Sequence, residues 1–343
     1  VAERIGRRFD GLFVPRRFEL DVPMSAQPGT PARLKRPYLV PVAWTDWMPE
    51  APRPGLPVLV CLGGVANTAA RFSFLAADLQ RAGQRVVCMD WVGRGRSGWL
   101  ADERSYQRSL YAAQLRRLVH ELGDVPVAIL GSSMGGSVAI EFAARHPGLV
   151  RRLVLNDVGP EIPAARRRRR AETLARWYVF RTPQEIERRV GAAQKNDGPV
   201  PDDVRLFVTW HQTRWSAEDG GRVYRHDPRA LLAYRRDAQQ PLALWRDWAR
   251  LRCRTLVLHG LQSDALTLPL LRRMGRPRPA APPPQVVHVP ATGHTPALCD
   301  RHQTGLVAAW LQGRLDDLGP CCLLPAATRS AGTIAADSTP QPP

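Results

Sequence analysis

The chain has 343 residues, 44% of them apolar, enough to bury a large core in one elaborated domain or two. No apolar run reaches the roughly 18 residues a membrane span needs, and no basic, apolar and small-residue sequence of a secretory signal opens the chain, so a cytoplasmic location is expected. A formal charge of +18 would ordinarily raise nucleic acid, but Lys35 and Lys195 are the only lysines among 49 basic residues, and Arg with heavy Ala, Gly and Pro usage reads as GC-rich coding, so no specific nucleic-acid partner is expected.

Six cysteines, Cys61, Cys88, Cys253, Cys299, Cys321 and Cys322, lack metal-ligand spacing and read as free thiols, several of them buried in strand-like runs; no metal or cofactor is expected. Residues 1–37 are basic and Pro-rich, with one strand-like piece from Arg17 to Val22 and an alternative start at Met24, and are expected to be a loose or peripheral extension. Tyr38 to Trp44 reads as an early strand, and Pro57 to Leu62 as a buried one that ends in Gly63-Gly64. A glycine pair after a strand lets backbone N–H groups turn toward an oxyanion. Phe72, Leu75, Ala76 and Leu79 mark one face of a helix; Arg85 to Met89 is the next strand, followed by Asp90-Trp-Val-Gly-Arg-Gly-Arg-Ser97. Leu115, Leu118, Val119 and Leu122 form the core stripe of the helix that follows.

The stretch from Val127 to His146 reads as strand, tight turn and helix. Its turn is Gly131-Ser132-Ser133-Met134-Gly135, a Gly-x-Ser-x-Gly whose small residues let neighbouring chain pass while the Ser133 hydroxyl projects outward. A phosphate loop would need a Lys before its Ser or Thr, and none is present. Arg151 to Asp157 is a further strand. From Val158 to Trp248 the pattern is helical and irregular, so it reads as an insertion over the carboxyl ends of the strands, where ligands bind. Five tryptophans lie in it: Trp177, Trp210, Trp215, Trp245 and Trp248. They pack its helices together or roof an apolar pocket. The run Arg166 to Arg170 reads as a solvated helix face, with capture of an anionic substrate as the sharper alternative. Thr255 to Leu258 restarts the sheet, with Asp264 on the loop behind it. Gln285 to Pro290 is the last strand, with His288 inside it and His294 on the loop beyond; Leu306 to Leu311 closes the domain.

Elbow, glycine pair, Asp-x-x-Gly-x-Gly-x-Ser loop and the order Ser, Asp, His together resemble the α/β-hydrolase superfamily over roughly residues 38–314. The resemblance implies an α/β fold: a mostly parallel central sheet flanked by helices, with a helical cap inserted after the sixth strand. The core would be residues 38–158 and 249–314, the cap 159–248, and residues 315–343 a disordered tail. It further implies a serine hydrolase in which Ser133 is the nucleophile, His294 the base and Asp264 the acid, with Asp157 the runner-up because some members place the acid one strand earlier. The oxyanion donors would be the amides of Gly64 and Met134, and the family's usual His before the first glycine is Leu62 here. The expected substrate is a small to medium apolar acyl ester. Carbon–carbon bond hydrolysis, lactonase or thioesterase chemistry, and a noncatalytic binding role, stay open, as does the oligomeric state.

Overall fold

The computed structural model describes residues 2–22, 38–194 and 197–314. The tail expected from residue 315, Cys321 and Cys322 lie outside the described residues. Eight strands build the main sheet: β1 (Val14–Val22), β2 (Tyr38–Trp47), β3 (Leu59–Leu62), β4 (Val86–Met89), β5 (Val127–Ser132), β6 (Val150–Asn156), and, after an insertion holding β7 (Glu161–Ile162), β8 (Val179–Phe180), β9 (Thr213–Ser216), β10 (Gly221–Tyr224) and β11 (Leu242–Ala243), β12 (Arg254–Gly260) and β13 (Gln285–Val289). Their order across the sheet is β1-β2-β4-β3-β5-β6-β12-β13. The pairs β1–β2 and β2–β4 are antiparallel; from β4 to β13 the sheet is parallel.

The apolar runs explain that arrangement. Strands β3, β4 and β5 are buried along their whole length, as continuous apolar strands must be when helices cover both faces. On one face pack the helices Arg108–Glu121 and Met134–Arg145, through Leu115, Leu118, Val138 and Phe142. On the other pack Ser73–Arg81 and Arg301–Leu311, through Leu75, Leu79, Val307 and Trp310. Cys61, Cys88 and Cys253 are buried free thiols, and Cys299 is a part-buried one.

Two expectations change. The N-terminal segment is not peripheral: β1 pairs with β2 from Val14↔Asp46 to Val22↔Tyr38. Phe18, Leu20 and Val22 alternate with exposed neighbours, giving one apolar face that only the sheet can bury. Ahead of it, Phe9 is buried with its ring 5.8 Å from Trp47, 4.9 Å from Phe74 and 5.1 Å from Phe207. The insertion follows the sixth strand as expected, but it is not wholly helical. Strands β7 and β11 pair where it leaves and rejoins the sheet, and β8, β10 and β9 form a small sheet of their own.

Candidate active site

Strand β5 delivers its chain into the turn at Ser133, whose backbone sits at φ 50° and ψ −114°. A non-glycine residue there is strained, and the neighbouring glycines are what make the turn possible. A Cβ on Gly131 would strike the backbone of Gly136, and one on Gly135 the carbonyl of Leu62. Ser133 thus opens the helix Met134–Arg145 while its side chain stays partly exposed.

His294 is 14% exposed, and its Nδ1 lies 2.8 Å from Oδ2 of Asp157, which is fully buried. Asp157 directly follows β6 at φ 53°, and its carboxylate also accepts from the Gly260 amide at 2.9 Å and the Ser263 hydroxyl at 2.5 Å. The expectation that Asp264 would stand beside His294 is not met. Asp264 is 65% exposed and meets Arg166 at 2.9 Å and Arg169 at 3.8 Å. Partial burial raises its pKa, but the Arg166 guanidinium wins and holds the carboxyl below its usual range. The reason is position: β6 lies between the elbow strand β5 and β12, so a carboxylate at the end of β6 reaches the loop that carries His294. Asn156 fixes the same junction, donating to the Ser132 hydroxyl at 2.9 Å and the Pro296 carbonyl at 3.0 Å. An Asn-Asp pair ending an apolar strand was the sequence signal for both. His288 meets His259 instead, Nδ1 to Nδ1 at 2.9 Å.

The glycine pair is braced from the neighbouring loop. Trp91 Nε1 donates to the Gly63 carbonyl at 2.8 Å and Arg94 Nε to the Val65 carbonyl at 2.8 Å. Both braces sit inside the Asp90 motif, and they hold a loop that has Leu62 where a histidine was expected. The Asp90 carboxylate accepts from the amides of Ala69 at 2.7 Å and Arg96 at 3.0 Å. The Gly64 amide faces Asn67 Oδ1 at 3.2 Å. A Cβ built on Gly64 would lie 3.5 Å from that of Ser133, so the two segments are in contact.

Two cavities meet these residues. One of about 800 Å³ holds Ser133, Met134 and Val65 with Ile162, Ala230 and Leu242. The other, about 520 Å³, holds His294 and Asn67 with Arg166, Arg170 and Tyr224. Insertion residues wall both. None of the five tryptophans lines either. Trp177 and Trp215 are 40% and 62% exposed, while Trp210, Trp245 and Trp248 pack against Arg222, Arg273 and Arg278. The arginine run is not simply a solvated face either. Arg167 is buried against Asp237, and Arg166 and Arg170 face the cavity beside His294. Among the described residues no cluster suits a metal ion, and no helix is long and apolar enough to cross a membrane.

A family model described as alpha/beta hydrolase fold matches residues 57–190. The chain is 30% identical over 293 residues to the 3-hydroxybutyrate-oligomer hydrolase of Cupriavidus necator, covering 83% of this chain and 95% of that one. It is 38% identical over 106 residues to the sn-1-specific diacylglycerol lipase ABHD11 of Mus musculus, covering 31% of this chain and 34% of the lipase. Among solved structures, a putative hydrolase from Rickettsia typhi superposes with a TM-score of 0.76 at 19% identity, over 88% of this chain and 99% of that one. The elbow, the sheet order and the near full-length relative agree, and the chain belongs to the α/β-hydrolase family.

Proposed function

We propose that the protein hydrolyses carboxylic esters through Ser133 as nucleophile, His294 as base and Asp157 as the acid that orients it. The single observation that carries this reading is the 2.8 Å contact of His294 Nδ1 with a fully buried Asp157. With Nδ1–H directed at that carboxylate, Nε2 is the nitrogen left to accept the serine proton, and Asp157 stabilises the imidazolium that results. Ser133 Oγ adds to the ester carbonyl, the alcohol leaves with a proton from His294, and water, deprotonated by the same imidazole, releases the acid. The amides of Gly64 and Met134 are the proposed oxyanion donors, each worth about 3 kcal/mol. A charged oxyanion would displace Asn67 Oδ1 from Gly64, because hydrogen bonds to ions are roughly twice as strong as neutral ones. The relative named for oligomers of 3-hydroxybutyrate supports an ester substrate, since such an oligomer is a chain of ester-linked hydroxy acids. The test is labelling with a fluorophosphonate probe and turnover of p-nitrophenyl acetate. We expect one label per chain and measurable hydrolysis, whereas folded protein that does neither would remove the reading.

The same roles fix a pH dependence. Burial lowers the pKa of His294, as do the charges of Arg166 and Arg170, and together they outweigh the bond to Asp157 that raises it. A depressed pKa keeps the imidazole neutral, and so basic, to lower pH. The acid limb of kcat/KM for a neutral ester therefore has its midpoint below the ordinary histidine value. A midpoint at or above that value in a pH–rate profile contradicts the assignment of His294 as the base.

A further inference from the structure

The cavity that holds His294 is built for negative charge. Arg166, Arg169 and Arg170 stand at i, i+3 and i+4 on the helix Ala164–Leu174, one stripe of its surface. All three line the cavity together with Arg71, Arg188 and Arg189. Most of these charges are spoken for: Asp197 meets Arg71 at 2.9 Å, Asp264 serves Arg166 and Arg169, and Arg189 lies on the ring of Tyr178. Arg188 is exposed to solvent, which leaves Arg170 as the exception. It is part-buried, burial depresses its pKa, and among the described residues its guanidinium has no hydrogen bond or ion pair. A guanidinium taken partly out of water without a carboxylate is costly, and a bound anion would offset that cost.

Chemistry decides where such an anion would come from, given the ester-hydrolase reading on which this inference rests. His294 must hand its proton to the oxygen of the departing alcohol, so the leaving fragment extends into the cavity that His294 lines. In a chain of ester-linked hydroxy acids, the free carboxylate is always on the alcohol side of whichever ester bond breaks. We infer that the cavity of about 520 Å³ is the subsite for the leaving hydroxy acid, with Arg170 binding its carboxylate. The enzyme then reads its substrate from the carboxylate end. Ser133 Oγ bonds to the carbonyl carbon, the carbon–oxygen ester bond breaks, the proton taken from Ser133 passes through His294 to the leaving oxygen, and the hydroxy acid departs from Arg170.

The experiment compares 3-acetoxybutyrate with 3-acetoxybutanamide, which share the acetyl group and scissile bond and differ in carboxylate against amide on the leaving side. Expected for the wild-type protein is a kcat/KM about tenfold or more higher for the acid, a preference that shrinks as NaCl screens the charges. Arg170→Gln lowers kcat/KM for the acid about tenfold relative to the amide. Arg168→Gln, exposed on the same helix and outside both cavities, keeps the preference. Equal rates for the two substrates in the wild-type protein, which needs no variant to fold, overturn the subsite, as does an undiminished preference in Arg170→Gln. A preference for monoethyl succinate over ethyl succinamate would place the carboxylate on the acyl side, where Arg94 Nη2 lies buried without a partner, and also overturns it. Turnover of p-nitrophenyl acetate in the same preparation separates these outcomes from failure of the ester-hydrolase reading itself.

Discussion

Replacing Ser133 by alanine is expected to remove fluorophosphonate labelling and lower kcat by up to about 10⁶, the scale seen when a triad nucleophile is deleted. The fold should survive, because the side chain is partly exposed and supports no core contact. The backbone adds a second readout. At φ 50° any side chain is strained, so Ser133→Gly should be as inactive as Ser133→Ala and more stable than the wild type by about 1 kcal/mol. Thermal melts alongside single-turnover assays check both. An alanine variant that keeps substantial turnover would show the elbow serine to be a bystander.

Asp157→Asn is expected to lower kcat by about 10⁴, the effect of presenting the imidazole with an amide that favours the wrong tautomer. The loss extends beyond His294, since the Gly260 amide and the Ser263 hydroxyl share the carboxylate. Asp264→Asn should change kcat only severalfold, because its carboxylate is exposed and engages arginines. Comparing kcat/KM for the two variants on one neutral ester decides the matter. The opposite ranking would return the acid to Asp264.

What was legible in the chain followed from residues whose chemistry is local. Apolar runs long enough for strands, glycines where chains cross, and a serine between them all act within a few positions, so the sheet and the elbow could be read directly. The carboxylate that meets His294 could not, because Asp157 and Asp264 both follow strands of the sheet, and only the adjacency of β6 to the elbow strand separates them. The arginine run failed differently: helical spacing gives which residues share a face, but not which face meets the cavity. The tryptophans announce by their size that they pack, but not against what: the guanidinium groups of Arg222, Arg273 and Arg278 lie 12, 28 and 30 residues beyond Trp210, Trp245 and Trp248, and tertiary structure alone brings them together.

The N-terminal segment acts as a clasp. Phe9 is wedged between Trp47 and Phe74 of the sheet layer and Phe207 of the insertion, Arg8 pairs with Asp203, and His211 Nε2 meets the Gly6 carbonyl at 2.8 Å. A variant lacking residues 2–22 would retain every residue of the proposed triad and still be a different object. It would lose the clasp, so the helix Asp202–Gln212 would be held less tightly against the sheet. It would also lose β1, leaving β2 as a bare edge ten residues long with unpaired backbone groups. Such an edge is a template for pairing with another chain, so removing the segment is expected to promote association between copies as well as to loosen the roof over the proposed active site.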